Sequence, residues 1–348
     1  MFVKSFKLVD KQRFDLYIED ITAKEDETIV KVETAAICKA DLRYYLGLRD
    51  EKILGLKYPI ALIHEAVGSV VKDRTGQFQM GDKVALCPNL VTSEDIKKYN
   101  ELCANAEFGE NYIPNAFFAS SNVDGFSKNY LSIPAHNLVR VPVKHSNSIL
   151  VFTELISVAI NAIRRIQIKP KATIGIWGDG ILGYILSVVL SFVHDGQIVV
   201  IGAHQDKLEK FDAADLTYHY ADHFKDMPPI DIAFECIGGN RAEAGINQMI
   251  DVVNAGAKIV LTGVTEGNVG INTRRILERG LSLFGATRSN IRDFEEAAKL
   301  LEDNRFAKCI EQLILSKEYI HNIVDYYNVF EKESQNKKLG KHILYFSF

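Results

Sequence analysis

Cysteine is scarce in this chain and never clustered. The five residues, at 38, 87, 103, 236 and 309, are odd in number, widely spaced and without a C-x-x-C pair. That pattern excludes a disulfide framework and fits a reducing compartment. A basic surplus is also lacking: 41 Lys and Arg face 45 Asp and Glu, for a net charge of −4. Nucleic acid is therefore not an expected partner. No apolar run has the length of a membrane span, and the longest, Ile181–Val193, is interrupted by serines and reads as a buried helix. The opening MFVKSFKLVDKQRFDLYIED alternates charged and apolar residues and has no signal-peptide core. A cytoplasmic protein without membrane insertion is the expectation.

What is present is enough for two full cores. The 348 residues are 47% hydrophobic and 25% charged, as in ordinary globular proteins. The first 150 or so residues read as β-rich, with strands expected at 29–32, 66–71, 83–86 and 128–133. The polar segment 89–118, interrupted by Pro114, reads as a lobe or long loop. A helical pattern covers 153–167, with Leu155, Val158, Ala159, Ala162, Ile163 and Ile166 on one face. Strands then alternate with helices, at 173–177, 198–201, 230–235, 258–262 and 282–284. This order predicts an α/β fold with a doubly wound parallel sheet. A helix at 291–302 and a strand at 342–346 follow, and the last 60 residues are expected to return to the first domain. The predicted division is 1–153, completed by 288–348, and 154–287.

The stretch TIGIWGDGILGYIL sets Gly178, Gly180 and Gly183 at G-x-G-x-x-G spacing between a strand and a helix. The first glycine suits the tight turn, the second the approach of a pyrophosphate, and the third close helix–strand packing. Asp179, Ile181 and Leu182 complete this candidate dinucleotide loop, which the helix N-terminus serves with its N–H groups. The next strand ends in IVVIGAHQDKLEKF. The acidic residue that binds the ribose of NAD would fall 24 residues after Gly178, and there the chain has Gly202. Removing that carboxylate removes repulsion against a 2′-phosphate, and His204, Gln205 and Lys207 offer donors to it. NADP(H) is thus the expected cofactor, although His204 and Lys207 also read as an ordinary solvated loop. Cys236 and Gly263, at the ends of two later strands, complete the candidate cofactor set.

Cys38 in AAICKADLRYY, and His64 with Glu65 in ALIHEAVGSV, offer a thiolate, an imidazole and a carboxylate, the ligand types of an open catalytic zinc site. Taken singly, Cys38 also reads as a small buried hydrophobe and His64 as a core histidine. ICKAD, HEAVG 26 residues on and the glycine loop beyond 170 together resemble the zinc-dependent medium-chain dehydrogenase/reductase superfamily over essentially the whole chain. The resemblance implies a GroES-like catalytic domain split around a Rossmann domain, with zinc in the cleft. It also implies a third ligand at Glu154, as in polyol dehydrogenases, with Glu65 near the metal or exchanging onto it. Zinc would polarise a carbonyl while hydride comes from the nicotinamide. Two departures stand out. Only Cys87 and Cys103 occur where the superfamily often has a four-cysteine structural zinc, so one catalytic zinc and no structural zinc are expected. Ala40 replaces the usual Ser/Thr of a hydroxyl proton relay, which leaves Tyr44, Tyr45 or a zinc-bound water to protonate the alkoxide. Tyr44 matches an active-site tyrosine of polyol dehydrogenases, and equally reads as packing beside Tyr45.

Longer segments are more specific. LRYYLGLRDEKIL, LIHEAVG, GIWGDGILGYI, FECIGG, INQMIDVV and LTGVTEGNVGINTRRILERGLSLFGATRS look like the ribulose-5-phosphate reductases of teichoic acid and capsule synthesis. That resemblance implies NADPH-dependent reduction of D-ribulose 5-phosphate to D-ribitol 5-phosphate, which a functionally coupled cytidylyltransferase would use. A sugar phosphate needs cationic donors. Arg43 leads the candidates, with Arg49, Arg274 and Arg288 behind it, although any of these reads equally as a solvated surface charge. The superfamily also implies a homodimer or homotetramer. The alternatives are a zinc polyol or alcohol dehydrogenase acting on an unphosphorylated substrate, a zinc-free quinone-reductase-like enzyme, and a non-catalytic NADPH-binding subunit.

Overall fold

Runs such as Ile174–Trp177, Ile198–Gly202 and Ile232–Glu235 are buried at every position, as strands covered on both faces must be. They belong to a six-stranded parallel sheet. Its order is Leu216–His219, Ile198–Gly202, Ile174–Trp177, Ile232–Glu235, Lys258–Leu261 and Ser282–Gly285. The strand order reverses direction between Ile174–Trp177 and Ile232–Glu235, the point at which such sheets open to a ligand. The computed structural model describes residues 1–102, 109–114, 116–222, 224 and 226–348. In it this sheet forms one unit, Val158–Thr287, and the other unit is Met1–Ser157 with Arg288–Phe348. The division falls inside the helix Thr153–Arg164, so Glu154 belongs to the first-named residues of that split unit.

The glycines of the loop after Trp177 have three different surroundings. Gly178 has φ +132°, and a Cβ there would stand 2.7 Å from the Cys236 backbone. A Cβ on Gly183 would meet the Gly178 carbonyl oxygen at 2.1 Å. Gly180, which precedes the helix Ile181–Val193, has nothing within 4 Å of its Cβ position. The loop is thus closed on two sides and open on the third.

The split unit is built on a seven-stranded sheet. Its path runs Leu138–Arg140, Lys83–Leu86, Glu65–Asp73, Glu27–Ala36, Lys341–Phe346 and Ile314–Ile320, with Tyr130–Pro134 also paired to Glu27–Ala36. The C-terminal strand is antiparallel to Glu27–Ala36, with Ile343 opposite Ala36, and Ala36 on its other side faces Glu65. This register brings residues 36–38, 65 and 341 together. A hairpin of Phe2–Asp10 and Arg13–Asp20 adds Phe6 and Phe14 to an aromatic core with Tyr45, Tyr326 and Phe330. Two short helices, α1 (Lys39–Tyr45) and α2 (Glu51–Lys57), follow the strand that leads to Cys38. One expectation is corrected: the stretch Asn147–Arg164, not Ile181–Val193, is long and apolar enough for a membrane span, but 72% of it is buried within the fold.

The segment 89–118 corrects the expectation of a lobe or long loop. It carries a helix, Ser93–Leu102, started by a reciprocal cap between Thr92 and Asp95 that the polar composition concealed. Cys103 lies outside the described residues. Replacing Gly183 by Ala is expected to destabilise the protein by about 1–3 kcal/mol through overpacking. Gly180→Ala, which meets only open space, is expected to stay within about 0.5 kcal/mol of the parent in urea unfolding.

Candidate active site

Cys38, His64 and Glu65 present donor atoms that all lie within 4.8 Å of one another. Cys38 is the N-cap of α1, and His64 and Glu65 stand at the start of the strand Glu65–Asp73. Asp41, fully buried in α1, ties the two segments together. One of its carboxylate oxygens accepts the Cys38 N–H at 2.9 Å and the other the Ile63 N–H at 3.0 Å. His64 Nδ1 lies 2.8 Å from Ser120 Oγ and 3.5 Å from Asp41 Oδ1, so a proton held on that side leaves Nε2 available as a ligand. Burial raises the Asp41 pKa, but His64 and the N–H donors outweigh it and hold the group below its usual range. Burial likewise opposes a charge on His64, yet Asp41 and Cys38 hold its pKa well above 6.5.

Glu65 is fully buried and both its oxygens accept from Lys341 Nζ, at 2.5 and 2.6 Å. Lys341 also donates to the Ile37 carbonyl at 3.1 Å. Its ammonium is destabilised by burial but held in the charged form by Glu65 and Cys38. Glu154, 5% exposed, stands beside the cluster and interacts electrostatically with His64, Glu65, Lys341 and Asp41. Burial pushes its carboxyl up to about 7, and its Oε2 has no hydrogen-bond partner. A half-buried thiol, an imidazole anchored through Nδ1 and an orphaned carboxylate oxygen are the donor types a zinc ion takes in an open site. The residues present therefore fit a zinc ion.

The two candidate tyrosines have separate surroundings. Tyr45 donates to Glu331 at 2.5 Å within the aromatic core, and its hydroxyl is spent there. Tyr44 accepts from Lys57 Nζ at 2.8 Å and lies 3.4 Å from Ser121 Oγ. Arg43 is half-buried on α1. Arg288, also half-buried, sits over the Phe118 ring at 5.1 Å, and that ring is 5.5 Å from His64. Cys87 is buried with its thiol pushed up to about 12 by burial.

In the parallel-sheet unit, Gly202 ends its strand, and His204 caps the short helix that holds Gln205 and Lys207. Ile181 and Leu182 open the helix after the glycine loop. Cys236 and Gly263 stand just past the ends of neighbouring strands. Glu235, which sequence reasoning missed, fixes this rim. Its buried carboxylate accepts from the N–H groups of Ile237 at 2.8 Å and of Gly238 and Gly263 at 2.7 Å. One reading needs correction. Gly202 does not leave its corner without a carboxylate, because Asp179 fills it. Asp179 Oδ2 would lie 2.9 Å from a Cβ at 202 and accepts from Ala203 N, His204 N and His204 Nδ1 at 2.7, 2.7 and 2.9 Å. The glycine is needed to make room, and the charge is spent on local donors.

Comparison with known proteins agrees with this architecture. The alcohol dehydrogenase GroES-like domain matches residues 24–143, and the zinc-binding dehydrogenase domain matches 197–303. Ribulose-5-phosphate reductase 1 of Staphylococcus aureus is 38% identical over 299 residues, covering 85% of this chain and 84% of that one. The chain belongs to the zinc-type alcohol dehydrogenase family. The ribulose-5-phosphate reductase of Bacillus spizizenii is 34% identical over 338 residues, covering 96% of each chain. The crystal structure of S. aureus TarJ in complex with NADPH superimposes with a TM-score of 0.86 at 32% identity, over 100% of both chains.

Asp41, Ser120 and Lys341 were not singled out from the sequence of this family member. Asp41 had a local signal, three residues after Cys38, but Lys341 is 276 residues from Glu65 and only the strand register reveals it. Lys341→Met is expected to cost about 3–5 kcal/mol, because it strands a buried carboxylate. Pairing it with Glu65→Leu should recover most of that loss, and urea unfolding of the single and double variants measures both.

Proposed function

We propose that this enzyme reduces D-ribulose 5-phosphate to D-ribitol 5-phosphate with NADPH and one zinc ion. The observation that carries the reading is the cluster of Cys38, His64 and Glu65 with the unpartnered Glu154 oxygen beside it, in a chain 34–38% identical to ribulose-5-phosphate reductases over most of its length. Cys38, His64 and Glu154 would hold the zinc, with Glu65 kept beside it by Lys341. When bound, zinc supplies Lewis-acid polarisation of the C2 carbonyl and the nicotinamide supplies the hydride. Asp41 and Ser120 hold His64 through Nδ1, which would leave Nε2 to serve as the ligand atom. Tyr44 gives its phenolic proton to the C2 oxygen as the carbonyl becomes an alcohol. Lys57 donates to the Tyr44 oxygen, so the phenol proton is left to point elsewhere.

Support for NADPH comes from the open face at Gly180, the exposed donors of His204 and Gln205, and Lys207, which makes no ion pair among the described residues. Asp179 keeps its carboxylate turned to backbone N–H groups and His204 rather than toward a ribose phosphate. The phosphorylated alditol formed is chemically suited to nucleotidyl transfer, consistent with a cytidylyltransferase acting next.

NADPH oxidation should proceed with D-ribulose 5-phosphate, fall by at least about 100-fold after chelator treatment and return with zinc. Oxidation that survives metal removal verified by elemental analysis would sink the zinc reading. Gly202→Asp should weaken NADPH binding by about tenfold or more without giving tight NADH binding, since a second carboxylate would crowd Asp179. Fluorescence titration of both cofactors checks it, and tight NADH binding by the variant would contradict the arrangement at Asp179.

A further inference from the structure

Two cations converge on the Tyr44 ring, and among the described residues no carboxylate pairs with either. Lys57 Nζ lies 5.0 Å from the ring centroid, and the Arg49 guanidinium carbon lies 4.3 Å from it. Lys57 uses two of its three N–H donors, to Tyr44 Oη at 2.8 Å and to the Ser121 carbonyl at 2.5 Å, and keeps the third. Arg49 Nε is buried with no hydrogen-bond partner. Among the described residues neither Arg49 nor Lys57 has a carboxylate within ion-pair distance. The nearest acid in sequence, Asp50, is committed to capping α2 through the N–H groups of Lys52 and Ile53. Both cations are partly withdrawn from water, where mutual repulsion is screened less than at the surface. An arrangement of this kind is relieved by a dianion.

We propose that Arg49 and Lys57 form the seat for the terminal phosphate of the substrate, with the Tyr44 ring as the platform between them. The inference rests on the sugar-phosphate reading above and names the residues that would make that reading specific. The seat is tied to the metal-ligand cluster twice. Ser120 contacts His64, and the next residue, Ser121, receives the Lys57 ammonium. Cys38 caps the N-terminus of α1 and Tyr44 lies six residues along it, a rise of about 9 Å. In a pentulose 5-phosphate, five bonds of about 1.5 Å join C2 to phosphorus, roughly 6–7 Å when extended. The consecutive residues Ser120 and Ser121 thus join the metal-ligand cluster to the phosphate seat. Lys57 could not be picked out from sequence, because it stands nineteen positions after Cys38, at the end of a second helix.

The test is the preference for D-ribulose 5-phosphate over D-ribulose, as the ratio of kcat/KM values, in the parent, Arg49→Met, Lys57→Met and Lys57→Arg. Each methionine variant should lose about 10–100-fold of that preference, mainly through KM for the phosphorylated substrate. Lys57→Arg should recover part of it, and NADPH affinity by fluorescence should be unchanged in all of them. Retention of the full preference in both methionine variants, with NADPH binding intact, overturns the proposal. If the parent does not turn over ribulose 5-phosphate at all, the functional reading fails. Calorimetry with inorganic phosphate then decides the seat separately: binding lost in both methionine variants upholds it, and no binding to the parent, or equal binding by all, rejects it.

Discussion

Glu65 carries a carboxylate into a part of the fold that water does not reach, and its neutralisation organises everything around it. Lys341 meets both oxygens from a strand near the C-terminus, and the same ammonium satisfies the Ile37 carbonyl just before Cys38. A buried ion pair of this quality is weak evidence for added stability, because desolvation offsets most of the attraction. Its consequence is positional. The cysteine, the histidine and the C-terminal strand are held in one register.

The parallel-sheet unit follows the same rule with backbone instead of lysine. Asp179 and Glu235 are acids placed at the ends of strands, and each is satisfied by amide N–H groups of the loops it holds. Such bonds favour the ionised carboxylate, and the Asp179 pKa lies below its usual value because His204 and those amides outweigh the opposing effect of burial. In both units, acids that a sequence reader would assign to ligands are partly structural. Their satisfied geometry leaves the face at Gly180 open.

Where chemistry repeats at short spacing, the sequence was legible. The glycine loop, the alternation of apolar strands with helices, and Cys38 with His64 and Glu65 can all be read from residues a few positions apart or from motif spacing. The last 60 residues were expected to return to the first domain because the nucleotide unit lies in the middle of the chain, and Arg288–Phe348 is grouped with Met1–Ser157. Partners set by register were not: Lys341 for Glu65, Glu331 for Tyr45 and Ser120 for His64 lie 276, 286 and 56 residues away. The helix within 89–118 was missed because its polar residues hide the capping pair Thr92 and Asp95. The role of residue 202 was half legible. The glycine was noticed for the acid it lacks, whereas its tight neighbour is the acid at 179.

The central claim is that Cys38, His64 and Glu154 hold a single catalytic metal while Glu65 stays on Lys341. Cobalt substitution reads this directly. The cobalt-loaded protein should bind one equivalent, with tetrahedral d–d bands and a thiolate-to-metal charge-transfer band that disappears in Cys38→Ser and persists in Glu65→Gln. A charge-transfer band that survives Cys38→Ser, or cobalt taken up without tetrahedral absorption, would contradict the account.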